Sequence, residues 1–217
     1  MQKFFGFDGP IFVLFEKLAN LLWLNILWLV CCIPIITIGA STSAMYYVTL
    51  KMIKNEESYI AKSFFKAFKQ NLKQATLVWI IIIFASLLLV IDNQLIDVNA
   101  EGIEKIVHIG ICVVGFLVLM TGIYVFPLIA KFENTTVNTL KNALLLSLIN
   151  APYTVAIVAI IIIPFVIAYF YLALMPVMLM LGVSTSAYFA SKIYNKIFEK
   201  LIAQSNVEDT TKEGPEE

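Results

Sequence analysis

The sequence predicts an all-α protein: a polytopic transmembrane helical bundle of about five spanning helices, with a cytoplasmic amphipathic helix between the first two. Three observations predict it. Apolar residues make up 60% of the 217-residue chain and charged residues 14%, with mean hydropathy +0.88, whereas soluble domains are about half apolar and a quarter charged. Several uncharged runs are long enough to cross a hydrocarbon core about 30 Å thick. Lysines gather in alternate connecting segments, as they do on the inner side of a membrane.

The spans fall at about 18–38, 75–91, 106–130, 145–168 and 171–190 in a single helical domain, 1–205, followed by a disordered charged tail, 206–217. Phe4, Phe5 and Phe7 precede Asp8, Gly9 and Pro10, a helix-start signal in a segment suited to the interface. No small-residue cleavage site follows, so no cleaved signal peptide is expected. The first span carries Asn20 and Asn25, five positions apart and therefore about 140° apart around the axis. Amides facing hydrocarbon are costly, which gives this helix protein neighbours on more than one side.

Pro34 should loosen the end of that helix, and Gly39 permits a break or a close backbone approach. Ser41, Thr42 and Ser43 read as N-caps of a second helix, from Ala44 to about Lys54, with Asn55 to Ser58 as the turn after it. A near-copy of this stretch, Gly182 followed by Ser184, Thr185 and Ser186, lies close to the end of the last apolar run. Both copies read as helix breaks with capping hydroxyls, and their likeness is either a pseudo-two-fold along the membrane normal or two convenient caps.

Lys62, Lys66, Lys69 and Lys73 fall at steps of four, three and four, within about 60° of arc on a helix. Phe64, Phe65, Phe68 and Leu72 take the other side, and the helix runs without a breaker into the second span. This lysine face is a lipid-head-group surface or a docking surface for a partner. Residues 92–105 turn acidic; Asp97 to Gly102 imitates the start of a calcium loop, but His108 stands where the closing glutamate should be. In the third span Gly115 and Gly122, one heptad apart, suit a close helix approach. Residues 131–142 are polar, and 143–190 carry no charge at all, a length of about 70 Å as one helix and so two spans. The reversal is placed at Tyr169, Phe170 and Tyr171.

Six lysines fall in 39–74, two in 131–142 and four in 191–217, against one in 92–105 and two in 1–17. The lysine-rich side is therefore cytoplasmic, with the N-terminus outside and the C-terminus inside. Pro34, Pro127 and Pro176 are then read as lying near the inner ends of the first, third and fifth spans.

Chemistry is sparse. No nucleophile with a base, no paired carboxylates and no phosphate loop are present, so no catalytic residue, metal or cofactor is expected, and no enzyme. The zero net charge offers nothing to nucleic acid, and the absence of arginine removes bidentate clamps. Cys31, Cys32 and Cys112 lie in apolar runs and read as structural. The polar bundle interior is amide and hydroxyl: Asn20, Asn25 and Asn150, with Thr37, Thr76, Ser86, Thr121, Ser147 and Thr154. These are helix-to-helix glue or the lining of a path for a neutral solute.

Several stretches resemble one family. Phe7-Asp8-Gly9-Pro10, Asn25-x-x-Trp28, Pro34-Ile35-x-Thr37-Ile38-Gly39-Ala40-Ser41-Thr42 and Tyr46-Tyr47 are joined by Ser63 to Thr76 and by Phe126-Pro127-Leu128-x-Ala130-x-Phe132-Glu133-Asn134. Together they look like the YesL-like family of bacterial membrane proteins; Lys131 stands where that pattern leads one to expect arginine. The resemblance implies a multi-pass protein of the bacterial cell membrane without established activity, in a supporting role in carbohydrate uptake. Two readings follow: an accessory protein that binds a sugar-importing membrane complex, or a small transporter or channel for an uncharged solute.

Overall fold

The computed structural model describes residues 10–56, 59–95 and 102–212. Its helices are α1 (Pro10–Cys32), α2 (Ile38–Ile53), α3 (Ile60–Leu95), α4 (Ile103–Lys131), α5 (Thr136–Ile149), α6 (Ala151–Phe170), the short α7 (Met175–Val177) and α8 (Val183–Lys212). A 3-10 turn, Ile35–Thr37, joins α1 to α2, and a π-helical turn, Met178–Gly182, joins α7 to α8. Among the described residues, five helical stretches are long and apolar enough to cross a membrane: Ile11–Cys32, Ile60–Ile91, Lys105–Lys131, Ala151–Phe170 and Leu172–Gln204. The architecture is all-α, with the non-spanning α2 between the first two spans.

The burial pattern shows where the fold is held together. Most large apolar side chains of the spanning helices face outward, Leu87, Phe116 and Ile163 among them, as they must where lipid is the solvent. The densest core surrounds α2, which is buried almost all round: Gly39, Ala40, Ser41, Ala44, Met45, Val48 and Met52 have little or no exposure. A helix apolar or small on every side belongs in a core. Around it stand α1, the first half of α3, the C-terminal part of α4 and α8.

Close approach is built into Gly39. A Cβ there would lie 2.5 Å from the Ala75 carbonyl oxygen, 2.7 Å from Trp79 Cβ and 3.0 Å from Phe126. Only glycine lets α2, α3 and α4 meet at this depth. Gly122 has nothing within 4 Å of its Cβ position, so it is not a contact point, whereas Gly115 faces Leu89 at 3.2 Å. A run of aromatic rings extends the core: Tyr46, Tyr124 and Phe198 all stack on or edge against Tyr194, and Phe132 meets Phe198. Each such pair contributes about 0.5–1.5 kcal/mol beyond its buried area.

Several boundaries differ from the sequence reading. The first span begins earlier than residue 18 and ends at Cys32, because Pro34 is extended (ψ 114°) and cannot continue a helix. Helix α2 begins at Ile38, not Ala44. The polar segment 131–142 is mostly helix, and the fourth span starts at Ala151 instead of residue 145, since Asn150 (ψ 38°) and Pro152 break the chain there. The reversal near Tyr169 to Tyr171 falls where the aromatic cluster placed it, with α6 ending at Phe170. The last helix runs to Lys212, so residues 206–212 are helical and not a disordered tail; 213–217 lie outside the described residues, as does most of the calcium-loop imitation. Pro127 sits inside α4, and Pro176 opens α7 at the reversal end of the fifth span, opposite to the inner end assigned from sequence.

Candidate functional site: a lysine face beside a polar cleft

The capping role assigned to the two small-residue motifs does not hold. Ser41, Thr42 and Ser43 lie within α2, whose N-cap is Thr37 without a side-chain capping bond. Their hydroxyls point sideways to other helices. Ser41 donates to the Trp28 carbonyl at 3.0 Å, Thr42 accepts from the Trp28 indole at 3.2 Å, and Ser43 accepts from the Asn71 amide at 3.2 Å. In a helix whose own carbonyls are paired, a small hydroxyl serves better as a cross-link to a neighbour than as a cap.

The second copy is read by the same helix, α1. Asn25, fully buried, donates to the Leu179 carbonyl at 2.7 Å and accepts from the Ser184 amide at 3.0 Å. These two backbone groups stand five residues apart at the π-helical turn, where the regular ladder is interrupted. One carboxamide thus satisfies an acceptor and a donor that hydrocarbon could not. Asn25 and Trp28, at i and i+3, therefore tie α1 to both motif copies. Ser184 also donates to Leu181 at 3.3 Å, while the Ser186 hydroxyl is buried without a partner among the described residues. Gly182 crowds only the flexible end of Met178.

The Thr76 hydroxyl is likewise buried without a partner among the described residues, whereas several other interior polar groups are engaged. Asn150, half-buried at the α5–α6 break, donates to Leu146; Thr37 donates to Cys31 and Pro34; Thr121 donates to Leu117. Tyr124 donates to Thr154, whose own proton goes to the carbonyls of Ser147 and Asn150. Asn20 is half-buried. Ser191 reaches Thr49 at 2.8 Å, tying α8 to α2. Burial pushes the Tyr46 phenol up to about 12, partly offset by its hydrogen bond to Tyr194. Among the described residues, the hydrogen-bond partner of His108 is Cys112 of its own helix, at 3.8 Å.

The lysine-bearing segments meet at one end of the molecule. Lys54 pairs with Glu199 at 3.6 Å across α2 and α8. Lys51 lies over Tyr47, Lys192 over Tyr188 and Phe189, and both Lys196 and Lys200 over Tyr153. Lys62, Lys66, Lys69 and Lys73 differ from these: all four are exposed, and among the described residues none has a carboxylate or ring partner. Beneath them Phe64, Ala67 and Ala75 are buried against α2, which fixes the direction of the face.

A polar cleft of about 540 Å3 opens beside this face, between α2, α3 and the α4–α5 connection. Sequence reasoning missed it, because its walls come from Tyr47, from Lys66 to Gln74 and from Ile129 to Asn134, the last of these more than fifty residues beyond the others. The Gln74 amide holds them together, donating to the Asn134 carbonyl at 2.9 Å and to Thr139 at 3.2 Å. No group of His, Cys, Asp and Glu suited to a metal occurs among the described residues.

The family model described as "Protein of unknown function, DUF624" matches residues 21–93, from the C-terminal half of α1 through α2 and most of α3. The uncharacterized protein YteU of Bacillus subtilis (strain 168) is 26% identical over 148 residues, 66% of this chain and 66% of that protein. The alignment thus spans just under two thirds of the relative. No solved structure matches the chain. The matched region contains Asn25, Trp28, Gly39, the first small-residue motif and the lysine face, so over about a third of its length this multi-pass chain is similar to a family whose function is unknown.

Proposed function

We propose that this protein is a non-enzymatic accessory subunit of the bacterial cell membrane, which holds a partner membrane complex against Lys62, Lys66, Lys69 and Lys73. The observation that carries the reading is a fixed row of four exposed ammonium groups without partners among the described residues. The neighbouring lysines of α2 and α8 are stacked on rings or ion-paired. Such a row steers and orients an acidic surface more than it adds raw affinity. The lysine-rich end faces the cytoplasm in this reading, with the N-terminus outside and the C-terminus inside. A sugar-importing permease is the partner to test first, on the strength of the family resemblance. The channel reading is less well supported, since Asn25, Asn150, Thr121 and Thr154 are bonded to backbone carbonyls within the bundle.

Affinity purification from cells grown on different glycans, comparing the parent with a variant carrying glutamate at all four positions, tests this. The parent should retain a membrane transport subunit, and the variant should lose about tenfold or more of it while folding normally, because all four side chains are exposed. An unchanged set of retained proteins refutes the docking role.

A further inference from the structure

We infer that the cleft between α2, α3 and the α4–α5 connection is a binding site for a phosphate ester of a polyol, either a glycerophospholipid head group or a soluble polyol phosphate. The inference stands on the cleft itself and does not require the partner-docking reading. Its donors and acceptors define the ligand. Lys66 and Lys131 both line the cleft and are exposed, and among the described residues neither is ion-paired. Two ammonium groups facing one space favour an anion. The Asn134 side-chain oxygen accepts from the Thr135 amide at 2.8 Å, which leaves its NH2 group as a further donor.

The acceptors argue for hydroxyl groups on the same ligand. Asn71 spends its amide nitrogen on Ser43, and Gln74 spends its own on Asn134 and Thr139. Their carbonyl oxygens then have no hydrogen-bond partner among the described residues and can accept only from a donor. Glu133 lines the same cleft and adds a carboxylate acceptor. A bare phosphate or sulfate has little to offer these oxygens, whereas a polyol phosphate fills both sets. The cleft's 540 Å3 is within the range of small-molecule sites. Gln74 immediately precedes the apolar stretch that enters the membrane, so the opening lies at head-group level, within reach of lipid and of solutes on that side.

The test uses the full chain purified in detergent or placed in lipid nanodiscs. Calorimetry with sn-glycerol 3-phosphate, inorganic phosphate and glycerol forms the soluble arm. Retention of phosphatidylglycerol over phosphatidylcholine, read by native mass spectrometry, forms the lipid arm. Saturable binding in either arm is expected, weakened about tenfold by Lys131→Gln and also reduced by Gln70→Leu. Neither of those side chains makes a hydrogen bond among the described residues, so both variants should fold. Lys62→Gln and Lys73→Gln, on α3 but outside the cleft, should leave binding unchanged. Binding in the lipid arm alone assigns the site to a head group, and in the soluble arm alone to a free polyol phosphate. Three results overturn the inference: no saturable binding in either arm, equal losses in the Lys62 and Lys73 variants, or inorganic phosphate binding as tightly as glycerol phosphate.

Discussion

Replacing Gly39 by alanine adds one methyl group at the most crowded point of the core. Its Cβ would stand 2.5 Å from the Ala75 carbonyl oxygen and 2.7 Å from Trp79 Cβ, where ordinary contact begins at 3.4 Å. Neither neighbour can rotate away: one is backbone and the other is fixed at the root of its side chain. Helix α2 must therefore move away from α3 by most of an ångström. Doing so disturbs the Ser43–Asn71 bond and the Trp79 indole bond to the Ile35 carbonyl at 2.9 Å. Overpacking of this kind costs about 1–3 kcal/mol. For a chain of this size that is a drop of roughly 2–4 °C in melting temperature per kcal/mol, so a fall of about 2–12 °C is expected at a fixed scan rate in detergent. Gly122→Ala, with open space at its Cβ, is the matched control and should melt with the parent. Equal melting of parent and Gly39→Ala, or an equal loss in Gly122→Ala, would refute the close-approach argument.

Two further perturbations address the hydrogen bonds that join the helices. Asn25→Leu leaves the Leu179 carbonyl and the Ser184 amide unpaired, at about 1–3 kcal/mol for each buried group; its melting temperature should fall further than that of Asn150→Leu, whose amide bonds within one turn of its own helix. A double-mutant cycle of Thr49→Val and Ser191→Ala should return a coupling of about 0.5–1.5 kcal/mol, and a value near zero would show that the 2.8 Å contact does not hold α8 to α2.

Much of this fold was legible because lipid imposes simple rules on length and charge. The uncharged run 143–190 had to fold back, and the aromatic cluster at Tyr169 to Tyr171 marked where it does. The same run hid the break at Asn150, since no charge marks it and the signal there is only Asn150 followed by Pro152. Asn25 announced a protein neighbour through the expense of an amide in hydrocarbon, but not which one; its partners lie at a π-helical turn more than 150 residues away. Ser41 to Ser43 misled because a run of hydroxyls after a proline suits a cap as well as a cross-link, and only the position of α1 decides between them. Gly39 and Gly122 look alike in sequence, yet only the first faces another backbone. The polar cleft left no trace as a unit, because its lysines and amides are dispersed among three segments.

The proposed role depends on the side of the membrane that the lysine face occupies. In a background with Cys31, Cys32 and Cys112 replaced by alanine, single cysteines at positions 69 and 103, both exposed, can be challenged with a membrane-impermeant maleimide on intact cells. The account predicts that position 103 is labelled at once and position 69 only after the membrane is permeabilised. Labelling of position 69 on intact cells, with position 103 protected, would place the lysine face outside and contradict it.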